Sequence, residues 1–84
     1  MTHREIMARL GEIFRDVFDD DGIVLSDSTT SADIDGWDSI MHITLIGEVE
    51  SAFSVHFSMK QVLSMQNVGE LADAIEALLR EISR

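Results

Sequence analysis

The sequence contains no cysteine and few basic residues. Without cysteine there are no disulfide bonds and no thiolate metal sites to make up for a small core. Lys and Arg number 6 against 16 Asp and Glu, which gives a formal net charge of -10. This balance disfavours nucleic acid and anionic membrane surfaces as partners, and it favours basic protein surfaces.

Long apolar runs are also missing. The first residues lead straight into an amphipathic pattern, with no stretch suited to a signal peptide or a membrane span, so we expect a cytoplasmic protein. Alternation of apolar and polar residues is confined to 53–57, which is too short to build a sheet. With 84 residues, the length is that of a single domain, 1–84, with a small core.

Four stretches have the apolar periodicity of amphipathic helices. They cover about residues 4–18, 39–53, 59–64 and 68–82. Each follows a residue suited to N-capping, namely Thr2, Asp38, Ser58 and Asn67. In all but the second, Glu or Gln follows three residues later, as in a capping box. The pattern predicts an all-α four-helix bundle with three longer helices and a short third one.

A long loop, from Gly22 to Trp37, joins the first two helices, and Gly22 suits the end of the first one. Isolated apolar residues are expected to anchor the loop in the core. These are Ile23, Val24, Leu25 and Ile34. Between Asp16 and Asp38 there are eight acids and no Lys or Arg. The acids either solvate the loop or steer a basic partner.

The second helix carries two apolar stripes. The predicted core face consists of His42, Leu45, Ile46, Val49 and Phe53. On another side lie Ile40, Ile43 and Gly47. Because a small domain buries one face of each helix, Ile40 and Ile43 are expected to be exposed and to meet a partner or ligand. The alternative is a helix buried on two sides beneath the long loop.

Ser39 lies where the loop ends and the second helix begins. Asp38 and His42 are near it in sequence, but helical side chains lean toward the N-terminus, and no oxyanion hole or substrate cleft is expected in so small a bundle. The nucleophile-elbow pattern G-x-S-x-G is absent. The serine therefore has the features of a covalent modification site, and the helix N-terminus would favour a phosphate there.

Metal sites are not predicted. Neither of the two Asp-rich stretches ending in Gly, 19–22 and 33–36, aligns with a calcium loop, because the first and twelfth positions then lack acids. The histidines show no paired spacing for zinc, and His42 is expected to pack in the core. They are His3, His42 and His56.

The segment 35–40, Asp-Gly-Trp-Asp-Ser-Ile, resembles that of the acyl carrier proteins. The resemblance covers nearly the whole chain, and it includes a second helix that ends in Glu-x-x-Phe at 50–53. It implies that Ser39 receives 4'-phosphopantetheine from coenzyme A, that Asp38 is read by the phosphopantetheinyl transferase, and that acyl thioesters are presented to biosynthetic enzymes. It implies no catalytic activity. The implied docking surface on the second helix comprises Ile40, Met41, Ile43, Gly47 and Glu48.

The chain departs from the family pattern in three places. Ile40 replaces the usual Leu, which changes the shape of an apolar contact. The second helix has only two acids after its cap, Glu48 and Glu50, so docking would rely on apolar contacts and the acidic loop. Asp35 and Glu50 would add electrostatic contacts. A Trp at position 37, directly before Asp-Ser, resembles the pattern in carriers of polyketide or other specialised pathways more than the pattern in carriers of housekeeping fatty acid synthesis.

Two other functions remain open at this point. A peptidyl or aminoacyl carrier of nonribosomal type has a Gly-Gly-[His/Asp]-Ser pattern, which Gly36 and Ser39 meet only with an offset. The alternative from another functional class is a helical adaptor protein that never carries the phosphopantetheine arm. We expect the chain to be a monomer.

Overall fold

The computed structural model describes residues 1–82, which form four α-helices. They are α1 (His3–Val17), α2 (Ser39–Phe53), α3 (Met59–Ser64) and α4 (Val68–Ile82). Three helices have 15 residues and α3 has 6. Within residues 1–82 there is no strand, and none of these helices is both long and apolar enough to cross a membrane. The predicted all-α architecture is confirmed.

The helices begin where their caps predict. The Thr2 hydroxyl accepts a hydrogen bond from the Glu5 N–H, and the Glu5 carboxylate accepts one from the Thr2 N–H. Ser58 and Gln61 form the same reciprocal pair at the start of α3. Each pair satisfies two donors at its helix N-terminus, one of them the N–H of the cap residue itself.

The first helix ends within one residue of the predicted position, but Gly22 is not the residue that ends it. Phe18 is its C-cap, and Asp19 adopts a left-handed conformation with φ 49°. Aspartate tolerates this conformation better than most residues, so the chain leaves the helix before it reaches Gly22. Gly22 instead donates its N–H to the Asp20 carboxylate within the following turn.

The core is built from all four helices and the loop. The α1 helix packs against both α2 and α4. The largest side chains that are fully buried are Phe14, Ile6, Leu10, Leu45, Leu71, Ile75, Val49 and Val68. Each such side chain contributes about 1.5–3 kcal/mol through burial. On α2 the predicted core face is confirmed except at His42, which is only half-buried.

The loop between α1 and α2 is pinned to this core. Ile23 and Ile34 are buried, and Leu25 packs against the core from a half-buried position. The prediction for Val24 is wrong, since its side chain is 87% exposed. In an extended segment neighbouring side chains point to opposite sides, so inward Ile23 and Leu25 leave Val24 outside. A short 3₁₀ helix, Ser31–Asp33, was not predicted.

Backbone carbonyls of the loop cap the N-terminus of α4. The Val68 N–H donates to the Thr29 carbonyl and the Gly69 N–H to the Asp27 carbonyl, each at 2.9 Å. The Asn67 side chain accepts from the next N–H along the helix at 2.8 Å. These bonds satisfy donors that a helix cannot pair internally, and they fix the loop on α4.

Gly69→Ala is expected to destabilise the protein by about 1–3 kcal/mol. A Cβ at this position would lie 2.8 Å from the Asp27 carbonyl oxygen, so the loop and α4 would have to separate. Gly47 is the matched control, because a Cβ there meets nothing within 4 Å, and Gly47→Ala should stabilise α2 by about 0.5–1 kcal/mol. Urea unfolding measures both changes, and a loss of stability from both would contradict the packing described.

Candidate functional site at the start of the second helix

Ser39 is the first residue of α2, and its side chain is exposed. Asp38 is the N-cap with an extended backbone, and its Oδ1 accepts a hydrogen bond from the Met41 N–H at 2.9 Å. The Asp38 carbonyl also accepts the His42 N–H at 2.9 Å. The capped first turn therefore holds the Ser39 backbone in place while the hydroxyl faces solvent.

A tight turn delivers Ser39 to this position. Gly36 has φ 87°, a conformation that glycine adopts without steric cost. The Trp37 N–H donates to the Ile34 carbonyl at 3.3 Å, and the Asp38 N–H donates to the Gly36 carbonyl at 3.0 Å. Because Ile34 is buried, the turn is anchored in the core immediately before the exposed serine.

Trp37 fixes the turn to α1. Its ring meets Phe14 edge-on with centroids 5.2 Å apart, and it lies 6.2 Å from Phe18. On another side it stacks on the His42 ring at 5.9 Å. Aromatic pairs of this kind contribute about 0.5–1.5 kcal/mol beyond the burial of area. The residue two positions before Ser39 is thus part of the packed structure.

His42 bridges the turn and α3. The Trp37 indole N–H donates to His42 Nδ1 at 3.1 Å, and His42 Nε2 lies 3.2 Å from the Val62 carbonyl. Since an indole nitrogen only donates, Nδ1 accepts and the ring proton is on Nε2. Both ring nitrogens are therefore engaged, and the ring is not free to act as a base for Ser39. The sequence prediction of a core histidine missed this bridge.

An open groove of about 590 Å³ lies beside Ser39, between α2, α3 and the start of α4. Its apolar lining consists of Trp37, Ile43, Val62, Leu63, Met65 and Leu71. Its polar lining consists of Ser31, Asp38, Ser39, His42, Gln66 and Asn67. The sequence did not predict this groove. The lining comes from segments distant in sequence, so no local pattern indicates it.

The apolar stripe that begins directly after Ser39 is exposed at Ile40 and Ile43, as its spacing predicts. Ile40 is 77% exposed and Ile43 59%. On α3, Leu63 is 76% exposed and Met59 66%, which the sequence analysis missed. We call three of these exposed side chains, Ile40, Ile43 and Leu63, the apolar rim. Two of them, Ile43 and Leu63, line the groove.

The other proposed docking residues of α2 differ in exposure. Gly47 and Glu48 are exposed, whereas Met41 is half-buried. Asp35, which would add an electrostatic contact, is exposed as well. Polar and small groups at the surface are therefore available along α2 in addition to the apolar rim.

Glu50 has a role inside the fold. Its carboxylate accepts the Phe57 N–H at 2.8 Å and pairs with His56 Nδ1 at 3.1 Å. The side chain is 25% exposed. It stabilises the connection between α2 and α3. Its position therefore does not support the expected electrostatic contact between Glu50 and a partner.

The family model described as phosphopantetheine attachment site matches residues 8–75, a range that includes Ser39. Among solved structures, the chain is similar to the solution NMR structure of the holo acyl carrier protein from Geobacter metallireducens. The two sequences are 40% identical, the match covers 93% of this chain and 91% of that one, and the TM-score is 0.85. No curated protein matches the chain.

Proposed function

Because this chain belongs to the acyl carrier proteins, the family with a phosphopantetheine attachment site, we propose that Ser39 is the residue that carries the arm. The observation that carries the proposal is an exposed hydroxyl on the first residue of α2, held by the Asp38 cap at the edge of an open groove. The attached thiol holds acyl groups as thioesters.

The residues around Ser39 fit the prosthetic group. An exposed side chain gives a transferase access to the hydroxyl. Unpaired N–H groups and the dipole at the start of a 15-residue helix favour the phosphate of the arm. The Asp38 carboxylate is committed to the Met41 N–H, and its charge keeps the phosphate directed outward.

The attachment step uses one oxygen of this chain. Ser39 Oγ forms a bond to the phosphorus that bears pantetheine, the pyrophosphate bond of coenzyme A breaks, and adenosine bisphosphate leaves. The hydroxyl proton passes to a base of the transferase, since both His42 ring nitrogens are engaged with Trp37 and Val62. This chain is therefore proposed to be a substrate of the transferase and to have no catalytic activity of its own.

The proposed partners are a phosphopantetheinyl transferase and the enzymes that load, condense or modify the acyl group. Net charge -10 favours partners with basic surfaces. The proposed docking residues on α2 are Ile40, Met41, Ile43, Gly47 and Glu48. Residues 1–84 are proposed to act as one monomeric carrier domain in the cytoplasm, where coenzyme A is available.

The proposal is tested by incubating the chain with coenzyme A, magnesium and a phosphopantetheinyl transferase of broad specificity. Intact mass spectrometry should show one arm per chain. A known carrier in the same tube provides the positive control for the enzyme. If that carrier is modified and this chain is not, the proposed function is wrong.

Asp38→Asn separates the capping role of Asp38 from its recognition by the transferase. Asparagine caps helices as well as aspartate, so the stability should change little, whereas Asp38→Ala should cost about 0.5–2 kcal/mol. Loss of the charge should slow arm transfer about 10–100-fold in both variants, the range expected for a hydrogen bond to a charged group. Initial rates of arm transfer and urea midpoints provide the data. A normal rate for Asp38→Asn would show that only the cap matters.

Ile43→Glu is expected to impair turnover by partner enzymes while the free energy of unfolding changes by about 0.5 kcal/mol or less. The side chain is 59% exposed, so the new charge disturbs the apolar rim and leaves the core intact. Ala52→Glu is the matched control, because it adds the same charge at another exposed position of α2, about half a turn around the helix. Equal turnover of the two variants by partner enzymes would show that Ile43 is not part of the docking surface.

A further inference from the structure

A cluster of side chains that can ligate metals lies away from the Ser39 groove, where the start of α1 meets α4. His3 is the first residue of α1, and Asp73 and Glu76 are three residues apart on α4. One ligand atom from each of the three lies within 4.8 Å of the other two. The three residues come from the two ends of the sequence, so local spacing gives no sign of them.

Asp27, in the loop, orients the histidine ring. Its Oδ1 is 2.8 Å from His3 Nε2, which places the proton of the neutral ring on that nitrogen. Nδ1 is then the nitrogen with a free lone pair, and Asp73 Oδ1 lies 3.9 Å from it. Histidines that bind metals commonly have such a carboxylate on the second nitrogen. Asp27 is itself held in place, because its carbonyl accepts the Gly69 N–H at 2.9 Å.

We propose that His3, Asp73 and Glu76 bind a divalent transition-metal ion of the zinc class, with water completing the coordination. An imidazole with two carboxylates suits such ions, whereas calcium and magnesium prefer oxygen ligands alone. Tetrahedral zinc sets its ligand atoms about 3.4 Å apart, so the atoms must close by about 1 Å or slightly more. The exposed side chain of Asp73 can make that adjustment.

The charges around the cluster also favour a cation. Three carboxylates surround one imidazole, in a chain of net charge -10. The nearby Arg80 pairs with Glu76 through Oε1 at 3.4 Å, which leaves the second carboxylate oxygen for a metal. A bound ion would connect α1 directly to α4, so it would stabilise the folded chain by an amount that rises with the logarithm of the free ion concentration above the dissociation constant.

Zinc titration by calorimetry at about pH 8 tests the proposal. A basic pH is used because the hydrogen bond with Asp27 raises the pKa of His3, and the neutral imidazole is the form that binds a metal. The full chain is used without its arm, as verified by intact mass, because a thiol is itself a zinc ligand. One zinc ion per chain should bind and raise the thermal midpoint. His3→Ala should weaken binding at least tenfold and remove the shift in midpoint. Asp27→Asn, which removes the carboxylate that orients the ring together with its negative charge, should weaken binding about 10–100-fold.

His56→Ala is the matched control, since it removes another imidazole, one with a 91% exposed side chain that faces Glu50. It should bind zinc as the wild type does. Zinc binding of equal strength in the wild type and His3→Ala overturns the proposed site, and so does the absence of binding to a wild-type chain whose circular dichroism spectrum is helical. These outcomes are independent of whether Ser39 accepts the arm.

Discussion

Phe14→Ala should lower the free energy of unfolding by about 3–5 kcal/mol, a large part of the stability of a small domain. Phe14 is fully buried on α1, the helix that packs against both α2 and α4. Its ring also meets Trp37 at 5.2 Å and Phe18 at 5.8 Å. The substitution leaves a cavity and removes the aromatic support of the turn before Ser39.

Urea unfolding followed by tryptophan fluorescence measures this loss, because Trp37 is the only tryptophan in the chain. Phe14→Leu is the control, since it keeps an apolar side chain of similar size and should cost less than about 1.5 kcal/mol. If Phe14→Ala left the midpoint unchanged, Phe14 would not lie at the centre of the core. Normal stability with altered fluorescence would confine its role to the turn.

Ser39→Ala is expected to abolish gain of the phosphopantetheine mass. The hydroxyl oxygen is the proposed nucleophile, and alanine has none. Because Ser39 is exposed and Asp38 caps the helix, the free energy of unfolding should change by about 0.5 kcal/mol or less. The effect on modification is therefore separable from an effect on folding.

Ser31→Ala controls for the other serine hydroxyl that lines the groove. This variant should accept the arm at the wild-type rate, and both variants should keep the wild-type circular dichroism spectrum. Equal gain of mass by Ser39→Ala and the wild type would place the arm on another residue. The carrier function would then stand, and the attachment site would change.

The helices were predictable from sequence because their determinants are local. A capping box needs residues three apart, and an amphipathic face needs apolar residues at helical spacing. Thr2, Asp38 and Ser58 consequently mark the helix starts in the sequence as they do in the structure. The exposure of Ile40 and Ile43 followed from the same spacing, because α2 has more apolar residues than one face can bury.

The features that the sequence did not predict depend on contacts between distant segments. His42 follows the core spacing of α2, yet its partners are Trp37 in the loop and Val62 on α3. Val24 is apolar, as a residue that anchors a loop usually is. The direction of its side chain, however, depends on how the loop crosses the core. In the sequence Glu50 resembles a surface acid, but in the structure its carboxylate accepts a hydrogen bond from the connection between α2 and α3. The groove beside Ser39 likewise exists only once α2, α3 and α4 are assembled.

Peptide fragmentation of the modified chain tests the attachment site most directly. After arm transfer and proteolysis, mass spectrometry should find the phosphopantetheine on the peptide that contains Ser39, with backbone fragments placing it on that residue. Every other serine and threonine should retain its unmodified mass. An arm located on any other residue, or a modified chain whose Ser39 fragment has its original mass, would contradict the account.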